Sequence, residues 1–121
     1  MNERRQHSRK RINSYIAVYE RKTDDHLGCL VDMTPSGIKL MSNRSFDQGS
    51  TISLRMEIPF EIKGGKNIHI DALCKWCNSK NYPDLYEIGF QFQNVAPETE
   101  EIIQHLIVSP LFKETLKFAA S

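Results

Sequence analysis

Long hydrophobic runs are missing from this chain. No stretch of about 18 consecutive apolar residues occurs, so no segment can cross a bilayer as a helix. The charged N-terminus is followed by no apolar segment, so no secretory signal is expected and a cytoplasmic location is. Cysteine is scarce, at 3 in 121 residues. An odd count without an export signal argues against a disulfide framework and for free thiols in a reducing compartment. An excess of either charge sign is also absent, because 16 Lys and Arg face 15 Asp and Glu for a net +1. Internal repeats and low-complexity tracts are lacking too, which leaves a single domain. At this length a chain buries roughly two-thirds of its unfolded surface, so it needs neither a metal nor a disulfide to fold.

Catalytic signatures are missing as well. There is no G-x-S-x-G, Walker A or G-x-G-x-x-G. His7, His26, His69 and His105 follow neither metalloprotease nor deaminase spacing, and His69 alternates outward on its strand. Cys74-Lys75-Trp76-Cys77 matches C-x-x-C but falls inside a strand pattern. There a separation of three puts the two sulfurs on opposite faces, which argues against a zinc or redox pair. Core packing is expected for Cys74. The adjacent acids Asp24 and Asp25 read as a solvated hairpin loop. An enzyme, a resident cofactor and a metal are therefore not expected.

What the chain does have is two-residue alternation, again and again. Asn13–Arg21, Leu27–Met33 and Gly37–Ser42 read as strands, the last two joined by the turn-like Thr34-Pro35-Ser36-Gly37. Ile52, Leu54, Met56 and Ile58 alternate with polar residues. So do Ile68, Ile70, Ala72, Cys74 and Trp76, with Leu73 the exception, and then Tyr86, Ile88, Phe90 and Phe92. On this reading Trp76, Phe90 and Phe92 belong to the core. The glycines of Lys63-Gly64-Gly65-Lys66 suit a hairpin connection. About six antiparallel strands of this kind predict an all-β fold, a small closed barrel over residues 12–95.

Residues 96–121 change period. Pro97 with Glu98, Glu100 and Glu101 opens a helix, and Ile102, Ile103, Leu106 and Ile107 give it an apolar stripe. Ser109-Pro110 breaks that helix and can start a second short one bearing Phe112, Leu116 and Ala119. These helices either cap the barrel or serve a partner.

The near-neutral total conceals an asymmetry. Residues 1–11 carry Arg4, Arg5, Arg9, Lys10 and Arg11 against Glu3, a net of +4 that leaves −3 for the other 110. A basic arm on a mildly acidic body points to an anionic partner, or to an ordinary solvated tail. Within the arm, Arg5-Gln6-His7-Ser8-Arg9 is an R-x-x-x-R. At the expected turn, Asp32-Met33-Thr34-Pro35-Ser36-Gly37 is a D-x-T-x-x-G. One strand and a loop separate them, so antiparallel pairing can carry the arm back beside the turn. Arginine pairs bidentately with guanine or phosphate and stacks on base planes. Asp32 suits the donor edge of guanine, Thr34 and Ser36 offer hydroxyls, and Gly37 permits close backbone approach. The same residues also make an ordinary turn, with Asp32 capping Thr34 and Ser36. As a ligand set they fit a guanine nucleotide with phosphates and nothing to cleave it.

In the order and spacing of these two motifs, in Trp76, and in Tyr86-Glu87-Ile88-Gly89-Phe90-Gln91-Phe92, residues 4–95 resemble the PilZ family. The resemblance implies a six-stranded antiparallel PilZ-type β-barrel with a C-terminal α-helix. It also implies a receptor for cyclic di-GMP, with a downstream protein partner. By position, Arg5 and Arg9 would clamp guanines and phosphates, and Asp32, Thr34 and Gly37 would meet the ligand from the barrel. Thr34 stands where the family has serine, and Pro35 removes one N–H. Arg4 would either stack on a second ligand molecule or stay solvated. The rival readings are a nucleic-acid-binding barrel, disfavoured by the acidic body, and a protein-interaction module docking through Ile102–Ile107 or Phe112–Leu116.

Overall fold

The computed structural model describes residues 16–60, 62, 64–80 and 84–109. The arm with Arg4, Arg5 and Arg9 lies outside the described residues. So do residues 13–15 of the first expected strand, Lys63, and the second expected helix around Phe112.

Six strands form one closed antiparallel barrel. They are β1 (Ala17–Glu20), β2 (His26–Thr34), β3 (Gly37–Ser42), β4 (Thr51–Glu57), β5 (Asn67–Ser79) and β6 (Tyr86–Gln93). Around the barrel the order is β1-β2-β3-β6-β5-β4, closed by β4 against β1. Closure removes both free edges, so every strand is paired on two sides. The alternation read from the sequence supplies the interior. Val18, Leu40, Leu54, Met56, Ile88 and Ala72 are completely buried. The connection between β4 and β5 bends at Gly64 and Gly65, with φ of 83° and 75°, conformations that cost glycine nothing.

Three ladders contain a bulge, and two of these decide what reaches the surface. Leu30 pairs with Leu40 and Asp32 with Lys39, so Val31 is an extra residue on β2. Cys74 pairs with Phe90 and Trp76 with Gly89, so Lys75 is an extra residue on β5. An inserted residue flips the facing of every side chain beyond it. Asp32 and Trp76 consequently point outward, where unbroken alternation would have turned both inward. The expectation that Trp76 is a core residue is corrected here, whereas Phe90 and Phe92 are core as expected, at 3% and 8% exposure.

The same bulge corrects the reading of the cysteines. Cys74 stands opposite Phe90 and Cys77 opposite Ile88, both inward-facing, so the two thiols share the barrel interior instead of opposing each other. Both meet the backbone of one residue, Phe46, in the β3–β4 connection. The Phe46 N–H donates to Cys77 Sγ at 3.5 Å, and Cys74 Sγ–H approaches the Phe46 carbonyl at 4.0 Å. The Phe46 ring packs edge-on against Phe90 at 5.4 Å, which closes that part of the barrel. Cys29, Cys74 and Cys77 are all free thiols.

Helix α1 (Pro97–Ile107) packs its apolar stripe against the barrel core. Pro97 occupies its first turn beside Glu98 and Glu100, whose charges complement the N-terminal dipole. Thr99, Ile102, Ile103 and Leu106 are buried, and the three apolar ones join the core cluster. The stripe Ile102–Ile107 is therefore spent on the barrel and is not a free docking face. Asp24 and Asp25 lie exposed in the β1–β2 hairpin loop, as expected. The Asp24 carboxylate also accepts from Arg55 Nη2 at 2.6 Å, and the same guanidinium lies 4.2 Å from the Tyr19 ring centroid.

Candidate ligand-binding site

The β2–β3 turn owes its shape to Thr34 and not to Asp32. The Ser36 N–H donates to Thr34 Oγ1 at 3.2 Å, and the two hydroxyls lie 3.3 Å apart. This is the local bond by which hydroxyl residues favour tight turns. The Ser36 carbonyl accepts from the Phe92 N–H at 2.8 Å, which fastens the turn to β6. Gly37 allows that fastening. A Cβ there would stand 2.2 Å from the Phe90 carbonyl oxygen, so only glycine lets β3 lie this close to β6.

Asp32 is left for other work. Its Oδ1 accepts from the Met33 N–H at 2.8 Å, and among the described residues the carboxylate has no ion-pair partner. Following the ladder outward from it, Asp32 pairs with Lys39, Lys39 with Gly89, and Gly89 with Trp76. Four strands thus contribute one outward-facing row, an acid, a cation, a glycine and an indole. The gap at Gly89 is filled from the side. A Cβ on Gly89 would lie 2.3 Å from Nε1 and Cε2 of Trp76, so the indole rests directly on this backbone.

These residues line an open hollow of about 420 Å³ together with Thr34, Ser36, Gly37 and Gln91. All four candidate residues from the D-x-T-x-x-G turn are therefore brought to one surface, Arg4, Arg5 and Arg9 being outside the described residues. The described chain begins beside this surface, because the Leu30 N–H donates to the Ile16 carbonyl at 2.9 Å, two residues from Asp32. Sequence reasoning missed Lys39, Gly89, Gln91 and the outward placement of Trp76. The one available signal was Leu73, an apolar residue out of phase just ahead of the bulge. A second hollow, of about 680 Å³, lies between Lys22, Arg44, Asp47 and Asp71, where opposite charges are interspersed.

The hollow offers a flat aromatic face, a carboxylate with an open oxygen, hydroxyls and cations. Those groups are of the kinds that stack on a planar base, accept from its donor edge and attract attached anions. The model for the PilZ domain family matches residues 3–109, nearly the whole chain. The chain belongs to the PilZ domain family. No curated protein matches it. Among solved structures, the PilZ domain of YcgR from Escherichia coli, described with c-di-GMP, superposes with a TM-score of 0.61 at 20% identity, covering 88% of both chains. The Bacillus subtilis inhibitor of motility MotI/DgrA gives 0.65 at 14% identity, covering 85% of this chain and 47% of that one. MrkH of K. pneumonia in its apo state gives 0.64 at 15%, covering 85% and 49%. The PilZ chain spans about half the length of these last two proteins, and the likeness is one of fold. Among the described residues no helix is long and apolar enough to cross a membrane.

Proposed function

We propose that this PilZ domain is a receptor for cyclic di-GMP and not an enzyme, with the nucleotide held between the Asp32–Trp76 row and the arginines of residues 1–11. The observation that carries this reading is the outward row itself. A carboxylate with no ion-pair partner among the described residues and a half-buried, outward-facing indole line one hollow with the turn hydroxyls. Asp32 reads the N1–H and amine edge of a guanine, and Trp76 offers a stacking plane. Arg9 lies seven residues before Ile16, a reach of up to about 24 Å, enough to fold over the hollow from where β1 begins. Family membership supports the ligand class, and the YcgR PilZ domain was solved with this nucleotide.

Titration calorimetry with cyclic di-GMP, its linear form and a short oligonucleotide tests the reading. Cyclic di-GMP binds best, and Asp32→Ala and Arg9→Ala each weaken it by about tenfold or more, the usual cost of losing a charge-assisted contact. Binding unchanged in both variants would show that the site is elsewhere. Steep salt dependence with no base preference would instead mark a nucleic-acid barrel.

The output of such a receptor passes to a protein.

A further inference from the structure

We propose that Lys39 is a phosphate-contacting residue of this site and makes it select a dinucleotide over a mononucleotide. The inference rests on the cyclic di-GMP reading and extends it to a residue outside both sequence motifs. In the ladder Lys39 stands between its register partners Asp32 and Gly89, with Trp76 one strand further on. Strands are spaced about 4.8 Å apart and the indole lies over Gly89, two strands from Asp32, so the carboxylate and the ring are separated by about 10 Å along the row. A ligand that places one base against Asp32 and another on the indole must lay its linking phosphate over the middle of that row. The middle, between the carboxylate and the ring that covers Gly89, holds Lys39.

The ammonium is held ready without being neutralised. Lys39 Nζ lies 3.8 Å from Glu87 Oε2, while Lys80 Nζ holds the other oxygen of that carboxylate at 3.3 Å. A half-exposed pair at 3.8 Å is weak, and Lys80 remains on Glu87 if Lys39 turns away. Lysine is a compact point charge on a flexible stem, which suits a phosphodiester whose position is set by the two bases. Lys75 also lines the hollow, but as the exposed bulge residue it lies beside the row and not within it.

The experiment is titration of the full chain with cyclic di-GMP and with GMP at low and high salt. The proteins are wild type, Lys39→Met, Lys39→Arg and Lys80→Met, each first shown folded by its thermal transition. Lys39→Met weakens cyclic di-GMP about tenfold. Its binding responds less to salt than that of wild type. It leaves GMP affinity unchanged. Lys39→Arg keeps the charge and recovers affinity to within about threefold of wild type. Lys80→Met, which perturbs Glu87 without entering the row, stays within about twofold. If Lys39→Met binds cyclic di-GMP like wild type, or Lys80→Met loses as much, the assignment of Lys39 is overturned while the receptor reading stands. If folded wild type binds no cyclic di-GMP, the receptor reading falls and this inference with it.

Discussion

Gly89 and Trp76 show how one missing side chain builds a binding face. The indole occupies the space a Cβ would take, 2.3 Å from the position that alanine would fill. Gly89→Ala must therefore lift the ring off β6. The expected result is a loss of about 1–3 kcal/mol in urea unfolding, the usual cost of overpacking. Trp76 is the single tryptophan, so its fluorescence reports the displacement directly, and cyclic di-GMP affinity falls with it. At the opposite extreme are the interior thiols. Burial raises the pKa of Cys74, and the neighbouring Cys77 raises it further; burial alone raises Cys29. A thiol is inert until ionised. Iodoacetamide at neutral pH should leave Cys74 unmodified in the native protein and label it once urea is added. Below the ordinary thiol value of 9.0 both folded and unfolded thiols hold their protons, and stability is indifferent to pH on their account. As pH rises above that value the unfolded chain ionises first, so denaturation midpoints fall.

At the scale of the element, the two bulges matter more than any strand's propensity. Val31 and Lys75 each add a residue just ahead of a site side chain, and both flips bring that side chain out on the same row. Neither residue type announces a bulge. Period-two reading runs straight through both, which is why Trp76 was expected inside and Cys77 on the face opposite Cys74. The helix was easier to anticipate, because Pro97, the acidic first turn and the Ile102-Ile103-Leu106 spacing all agree. What the stripe contacts was not in its pattern, since a stripe looks the same whether it meets a barrel or a partner. Its packing against the barrel core has a measurable consequence. Leu106 is fully buried, and Leu106→Ala should cost about 2–5 kcal/mol in chemical denaturation, as for any large-to-small core change. A peripheral helix would lose far less.

For the molecule as a whole, the proposed receptor combines a closed barrel with a basic segment that precedes it in sequence. Ordering about ten residues costs on the order of 1 kcal/mol each, so a closed arm needs several charge-assisted bonds to offset it. Hydrogen exchange should show protection rising in residues 3–11 on addition of cyclic di-GMP, with little change in β4. Unchanged exchange in the arm would mean that it does not take part. This coupling would turn occupancy into a change of surface that a partner protein can read.

Much of this was already determined by the order of the residues: six alternating strands, a hydroxyl-bearing turn with glycine at its end, and a basic arm one strand upstream. These depend on local periodicity and charge, which a chain carries with it. The tertiary structure alone decided that Asp32, Lys39, Gly89 and Trp76 form a row, and that the thiols face inward together. Facing beyond a bulge depends on how many residues the partner strand supplies, and that count exists only once the ladder has closed.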